Sequence, residues 1–177
     1  RWAADLAGVQ DVAHLLAGID GLSPSQMRQA PLFLPYLSGE RTPHNDPLAK
    51  GALVGLARDH GPAQLAYAAM EGVTLGMNYG LRRLASLGVA AKQVRATGGG
   101  AKSKLWRQIM ADVFNAEVVT LKVSEGAAYG AALQALWCWR LQQGEKIKIE
   151  DITDEFVALN KAETVTPEKS AVATYRE

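Results

Sequence analysis

The order of elements in this 177-residue chain predicts an α/β fold, a mixed sheet flanked by helices. Three observations carry that reading. A β-favouring run, Gln93 to Thr97, enters the triplet Gly98-Gly99-Gly100, and an amphipathic helix opens near Ser103 with Leu105, Trp106, Ile109, Met110 and Val113 on one face. A second β-rich run, Ala116 to Lys122, is followed by Ser124-Glu125-Gly126 and an alanine-rich helix. Upstream, two apolar runs precede a long helix. Two strands, then helix, strand, helix, strand, helix, implies a parallel portion of sheet with the earlier strands antiparallel at one side.

Taken in order, Ala3 to Ala17 places Leu6, Val9, Val12, Ala13 and Leu16 at helical spacing, and Gly18 to Pro24 ends that helix. Ser23-Pro24-Ser25 starts a further short turn. Leu32 to Leu37 is interrupted by Pro35, which suits a short edge strand where a missing N–H is tolerated. Ser38 to Lys50 is a polar loop carrying an acid, a base and a histidine, and loops this long are either functional or solvated crossovers. Gly51 to Leu56 is a second strand, and Gly61-Pro62 opens a helix with proline in its first turn. That helix runs to about Ser86, with Leu65, Ala69, Gly72, Val73, Gly76 and Tyr79 forming a face of small residues for close packing. Glu71 sits beside it, either as a solubilising acid or as a hold on the neighbouring loop. In the alanine-rich helix, Ala127, Ala128, Ala131, Ala132 and Ala135 keep it narrow, and Trp137, Trp139 and Leu141 thicken its far end as core or interface. Glu150 to Leu159 reads as a short helix, and roughly 160–177 as a polar tail.

Composition narrows the classes of function. A hydrophobic content of 48% with 21% charged residues is that of one ordinary globular core. With 19 basic against 18 acidic residues, nothing draws the chain to nucleic acid or to anionic lipid. The single Cys138, between two tryptophans in an apolar helical run, excludes an internal disulfide and reads as a buried thiol in a reducing cytoplasm. No apolar run approaches the ~20 residues that span a bilayer. The start, Arg1-Trp2, lacks both an initiating methionine and a signal-peptide layout, so the chain is expected to be cut at its front and, ending abruptly, at its back.

The chemistry-bearing stretch is the glycine turn. Three glycines permit positive φ and let a ligand meet bare main chain, and the helix start behind them offers unpaired N–H groups at a positive dipole end. Such a turn suits a nucleotide, and equally a tight connection with no ligand. Two familiar nucleotide motifs fail. Ala101 stands where a phosphate loop needs glycine before Lys102, and Ala96 stands at its first glycine. Ser103 stands where a dinucleotide fingerprint needs its last glycine, and Glu117 lies at the start rather than the end of the next strand. In open α/β sheets ligands lie beyond the carboxyl ends of strands, which is where this turn falls.

With those residues in hand, the chain resembles the carboxyl-terminal domain of the FGGY carbohydrate kinases over nearly its whole length. The most specific part is Gly51-Ala-Leu-Val-Gly-Leu56, then Gln64-Leu65, then Ala68-Ala-Met-Glu71, which fits the family's second signature at every constrained position. The glycine turn with Lys104-Leu-Trp-Arg-Gln108 and the stretch Glu125-Gly-Ala-Ala-Tyr-Gly-Ala-Ala132 are further matching blocks. Phe33-Leu-Pro-Tyr-Leu-Ser-Gly-Glu-Arg-Thr-Pro-His44 resembles the loop of the family's pentulose branch, the D-xylulose kinases.

The resemblance implies an actin-like, ribonuclease H-like fold in which two related domains close on ATP and sugar, this chain being the ATP-side domain, incomplete. It implies ATP and Mg2+ as cofactors, D-xylulose as the sugar, and an adenosine site at Gly98, Gly99, Gly100, Ala101 and Ser103. The catalytic aspartate, most sugar contacts and the phosphate hairpin are expected outside this sequence, so that no catalytic residue or metal ligand falls within it and the piece alone is inactive. Asp5, Glu40 and Asp46 are therefore not read as catalytic bases. A cytoplasmic location and a homodimer are further expectations, and the lost hairpin is expected to expose a strand edge. The alternatives are another kinase of the family, acting on ribulose, gluconate or a deoxyketose, and a non-catalytic nucleotide-binding or dimerisation module.

Overall fold

The computed structural model describes residues 2–42, 44–123 and 126–176. The residues Ser124 and Glu125, where the alanine-rich helix was expected to open, lie outside the described residues, as do Arg1, Pro43 and Glu177. The chain divides into two compact units, 1–90 and 91–177.

The first unit opens with α1 (Trp2–Leu6) and α2 (Val12–Asp20). The single helix expected over 3–17 is thus two. Gly8 takes φ +67° and Asp11 caps α2 by accepting the Ala13 N–H at 2.9 Å, so the backbone turns where the apolar spacing alone would continue. Leu15 and Ile19, one turn apart, are the positions that α2 buries. Next comes α3 (Pro24–Arg28), started by a capping box in which Ser23 and Gln26 satisfy each other's N–H groups. The strands β1 (Leu32–Leu34) and β2 (Ala52–Val54) pair antiparallel as a separate ribbon, with Leu32 opposite Val54. They do not join the later sheet, which corrects the expected placement. Phe33 is buried and stacks on Trp2 at 5.1 Å between ring centroids.

The long helix α4 (Pro62–Ser86) has the expected limits, with the Gly61 N–H donating to the Gln64 side chain at 3.0 Å. Its buried residues are Ala66, Tyr67, Ala68, Met70, Gly72 and Thr74, so of the face expected to pack only Gly72 is fully buried and Tyr79 is exposed. The reason is that α1, α2, α3 and β1 all pack on α4, and they enclose more than one side of it.

In the second unit, β3 (Gln93–Ala96), β4 (Glu117–Leu121) and β5 (Leu159–Val165) form one mixed sheet in that order. β3 and β4 are parallel, and β5 is antiparallel to β4. The antiparallel member therefore comes from the end of the chain and not from its beginning. The connection between β3 and β4 is α5 (Lys104–Phe114), capped by Ser103 and ended by Asn115 in the left-handed conformation. As the central strand β4 buries Val118, Val119 and Thr120 in succession. Val118 meets Met110, Ala111 and Val165 in a cluster that Val94, Ala96, Trp106 and Phe114 extend. The buried valine and methionine side chains of the cluster contribute roughly 1.5–3 kcal/mol each.

Beyond the sheet run α6 (Gly126–Gln142), α7 (Ile149–Phe156) and α8 (Lys169–Thr174). The stretch read as a polar tail is thus a strand and a helix. Along α6 only Leu133 is fully buried, and Cys138 is exposed, contrary to the expected core thiol. Trp139 is exposed as well, whereas Trp137 is half-buried and donates its indole N–H to the Ile147 carbonyl at 3.0 Å. No helix is long and apolar enough among the described residues to cross a membrane.

Candidate nucleotide turn

The five residues expected to form the adenosine site lie together at the carboxyl end of β3, but they are not equivalent. Gly98 takes φ +81°, a conformation that side chains disfavour. Gly99 has ordinary helical angles, φ −61° and ψ −39°, and an added Cβ there would meet nothing within 4 Å. Neither steric crowding nor conformation accounts for glycine at this position. Gly100 is explained by packing, because a Cβ would lie 3.0 Å from the Trp106 ring. Gly100–Lys102 is a single 3-10 turn, with the N–H groups of Ala101, Lys102 and Ser103 donating to the carbonyls of Gly98, Gly99 and Gly100, each at 3.2 Å. Ala101 has its methyl buried, so it shapes the turn and presents no side chain to a ligand. Ser103 accepts the Trp106 N–H at 3.2 Å as the cap of α5, which leaves its hydroxyl proton available to a ligand.

What faces outward, then, is the main chain of Gly98 and Gly99. Among the described residues, neither N–H is engaged in a hydrogen bond. Two free N–H groups with no Cβ before them form a cradle for a polar, flat or anionic group, and the start of α5 adds a positive dipole end.

Residues not foreseen from the sequence support the turn from behind. Arg107 of α5 is almost wholly buried, and its Nη1 donates to the Ala101 carbonyl. The same nitrogen lies 3.8 Å from Glu163 of β5, whose carboxylate accepts the Thr120 hydroxyl at 2.8 Å. The available signal was the phase of Arg107, three and four residues before the buried Met110 and Ala111. On the same helix, Asp112 accepts the Gln108 amide at 3.0 Å and the Glu168 N–H at 2.7 Å, while Gln108 also donates to the Thr166 carbonyl at 3.1 Å. Burial pushes the Asp112 carboxyl above its usual range, with these hydrogen bonds opposing the shift.

The acids set aside as bases in the 38–50 loop are engaged in shaping it. Glu40 accepts the N–H groups of Thr42 and His44, at 2.5 and 2.7 Å, and Asp46 accepts the Leu48 N–H at 2.8 Å. His44 lies against Tyr36 and Tyr79 at centroid distances of 5.7 and 5.3 Å. Glu71 is half-buried and accepts the Tyr67 hydroxyl at 3.3 Å. No group of three His, Cys, Asp or Glu side chains converges among the described residues, so the Mg2+ implied by the resemblance finds no ligand set among them.

The strand, three-glycine turn and capped helix lie within the stretch that a family model matches. The FGGY family of carbohydrate kinases, C-terminal domain, matches residues 3–139, and the chain belongs to that family. Among individual proteins it is similar to the xylulose kinase of Escherichia coli (strain K12), at 42% identity over 134 residues, or 76% of this chain and 27% of that one. The solved gluconate kinase of Lactobacillus acidophilus superimposes with a TM-score of 0.81 at 30% identity, covering 99% of this chain and 34% of the other. The ligand-bound xylulose kinase of the same organism gives 0.77 at 29%, with the same coverages. These relatives place the fold among the actin-like sugar kinases. The chain spans about a third or less of their lengths.

Proposed function

We propose that this chain is the ATP-side portion of a sugar kinase that transfers the γ-phosphate of ATP to D-xylulose, giving xylulose 5-phosphate. The observation that carries the reading is Gly99, whose angles any residue could adopt and whose front is left open by the described residues. Gly98 and Gly99 hold the adenosine part of the nucleotide against bare main chain, Ser103 donates a hydroxyl, and Gly100 and Ala101 keep the turn closed on Trp106 and Arg107. ATP, when bound, would supply the phosphoryl group, and Mg2+ that offsets its charge would be held by groups other than the described residues of this chain. The chain's own part is binding and orientation, which lowers the barrier by presenting the phosphate chain in one direction.

The sugar assignment is supported by the similarity to xylulose kinases and by the loop from Phe33 to His44. We assign the base that accepts the sugar hydroxyl proton, and the sugar contacts, to a part of the full-length protein outside this chain, which spans 27% of the xylulose kinase it resembles. The 177 residues are therefore inactive by themselves. A cytoplasmic location, a place in xylose metabolism and a homodimer complete the proposal. The test is a coupled ADP-release assay of the full-length protein on D-xylulose, D-ribulose, gluconate, a deoxyketose and glycerol. D-Xylulose is expected to give the highest kcat/KM. Preference for gluconate, to which the similarity in fold also points, would move the assignment within the family, and turnover by residues 1–177 alone would contradict the division of labour.

A further inference from the structure

We infer that Arg107 is a positioning residue for the nucleotide turn, anchored by Glu163 of β5, a strand outside the stretch that the family match covers. The inference rests on the reading of the turn as an adenine-nucleotide site. The turn satisfies the carbonyls of Gly98, Gly99 and Gly100 with its own N–H groups. The Ala101 carbonyl is the first that it leaves over, since among the described residues no main-chain N–H reaches it, and the guanidinium of Arg107 takes that place.

A cation is an expensive way to fill the space. Its side chain is 6% exposed, its Nε has no hydrogen-bond partner among the described residues, and its counter-ion Glu163 is 46% exposed at 3.8 Å. A methionine would occupy a similar volume without the desolvation cost of a charge. What methionine cannot supply is a donor to the Ala101 oxygen. Fixing that oxygen fixes the peptide plane following Ala101, and through the 3-10 hydrogen bonds the direction of the Gly98 and Gly99 main chain. Glu163 is itself held by Thr120, so the position of the turn is referred to β4 and β5 through side chains as well as to β3 through the backbone.

The test uses the full-length protein and two readouts. Arg107→Met is expected to raise KM for ATP about tenfold or more while KM for the sugar stays within about twofold, and to speed amide exchange at residues 98–103 without nucleotide. Arg107→Lys, which keeps one donor, recovers part of both effects. Glu163→Gln, at a half-exposed site that folding tolerates, raises KM for ATP by a smaller factor, about twofold to fivefold. Unchanged KM for ATP in Arg107→Met and Glu163→Gln, or an equal rise in both KM values, overturns the inference. Should Arg107→Met not fold, Arg107→Lys and Glu163→Gln decide it on the same criterion. Exchange in the wild type separates the two readings. If ATP slows exchange at 98–103, the turn is the nucleotide site and the variants judge Arg107 alone. If ATP leaves those amides unchanged, the site assignment fails and the inference with it.

Discussion

Gly72 of α4 lies directly against the main chain of Phe33 in β1, so that a Cβ on Gly72 would fall 2.1 Å from the Phe33 carbonyl oxygen. Backbone cannot yield as a flexible side chain can. Gly72→Ala must therefore push β1 off α4 and disturb the stack of Phe33 on Trp2. The expected loss is about 3 kcal/mol or more, read as a lower denaturant midpoint. A variant as stable as the wild type would contradict the close packing.

The other two glycines of the turn should respond differently from each other. Gly98→Ala has open space but the wrong φ, and the left-handed conformation is expected to cost about 1–2 kcal/mol. Gly100→Ala meets the Trp106 ring at 3.0 Å and should shift the tryptophan fluorescence with a cost of about 1 kcal/mol. Equal thermal shifts with an unchanged emission spectrum would show that the turn does not distinguish these positions.

Asp112 gives a pH dependence whose sign is set by burial. Its folded pKa is raised, so between the ordinary aspartate value and the raised one the unfolded chain binds fewer protons than the folded chain. Its contribution to stability therefore falls as pH rises through that window and is constant above it. Asp112→Asn keeps an acceptor for Gln108 and Glu168 without the charge. Its stability relative to wild type should rise across the same window and then level off, measured as urea midpoints from acid to neutral pH. A variant that loses ground as pH rises would reverse the assigned cause.

These contrasts also show what was legible in the sequence. The α4 limits and the strand, turn and helix around Gly98 could be read because proline, glycine and period agree there. β5 could not, because Leu159 to Val165 has no clean alternation, and it is ordered by pairing with the buried β4. Helical spacing hid the break at Gly8, since periodicity carries no information on φ. The three glycines read as one permissive feature, whereas the fold gives Gly98 a reason in its φ and Gly100 one in the Trp106 ring, and gives Gly99 neither. Arg107 was passed over because a charge on an amphipathic helix is ordinarily solvated.

The most direct measurement of the central claim is calorimetric titration of ATP into the full-length wild type and its Gly99→Val variant, with thermal denaturation of both. Since Gly99 has helical angles and open space, valine should leave the unfolding temperature nearly unchanged while weakening ATP binding at least tenfold or about 1.4 kcal/mol. Equal affinity in the two proteins would show that ATP does not dock on this turn.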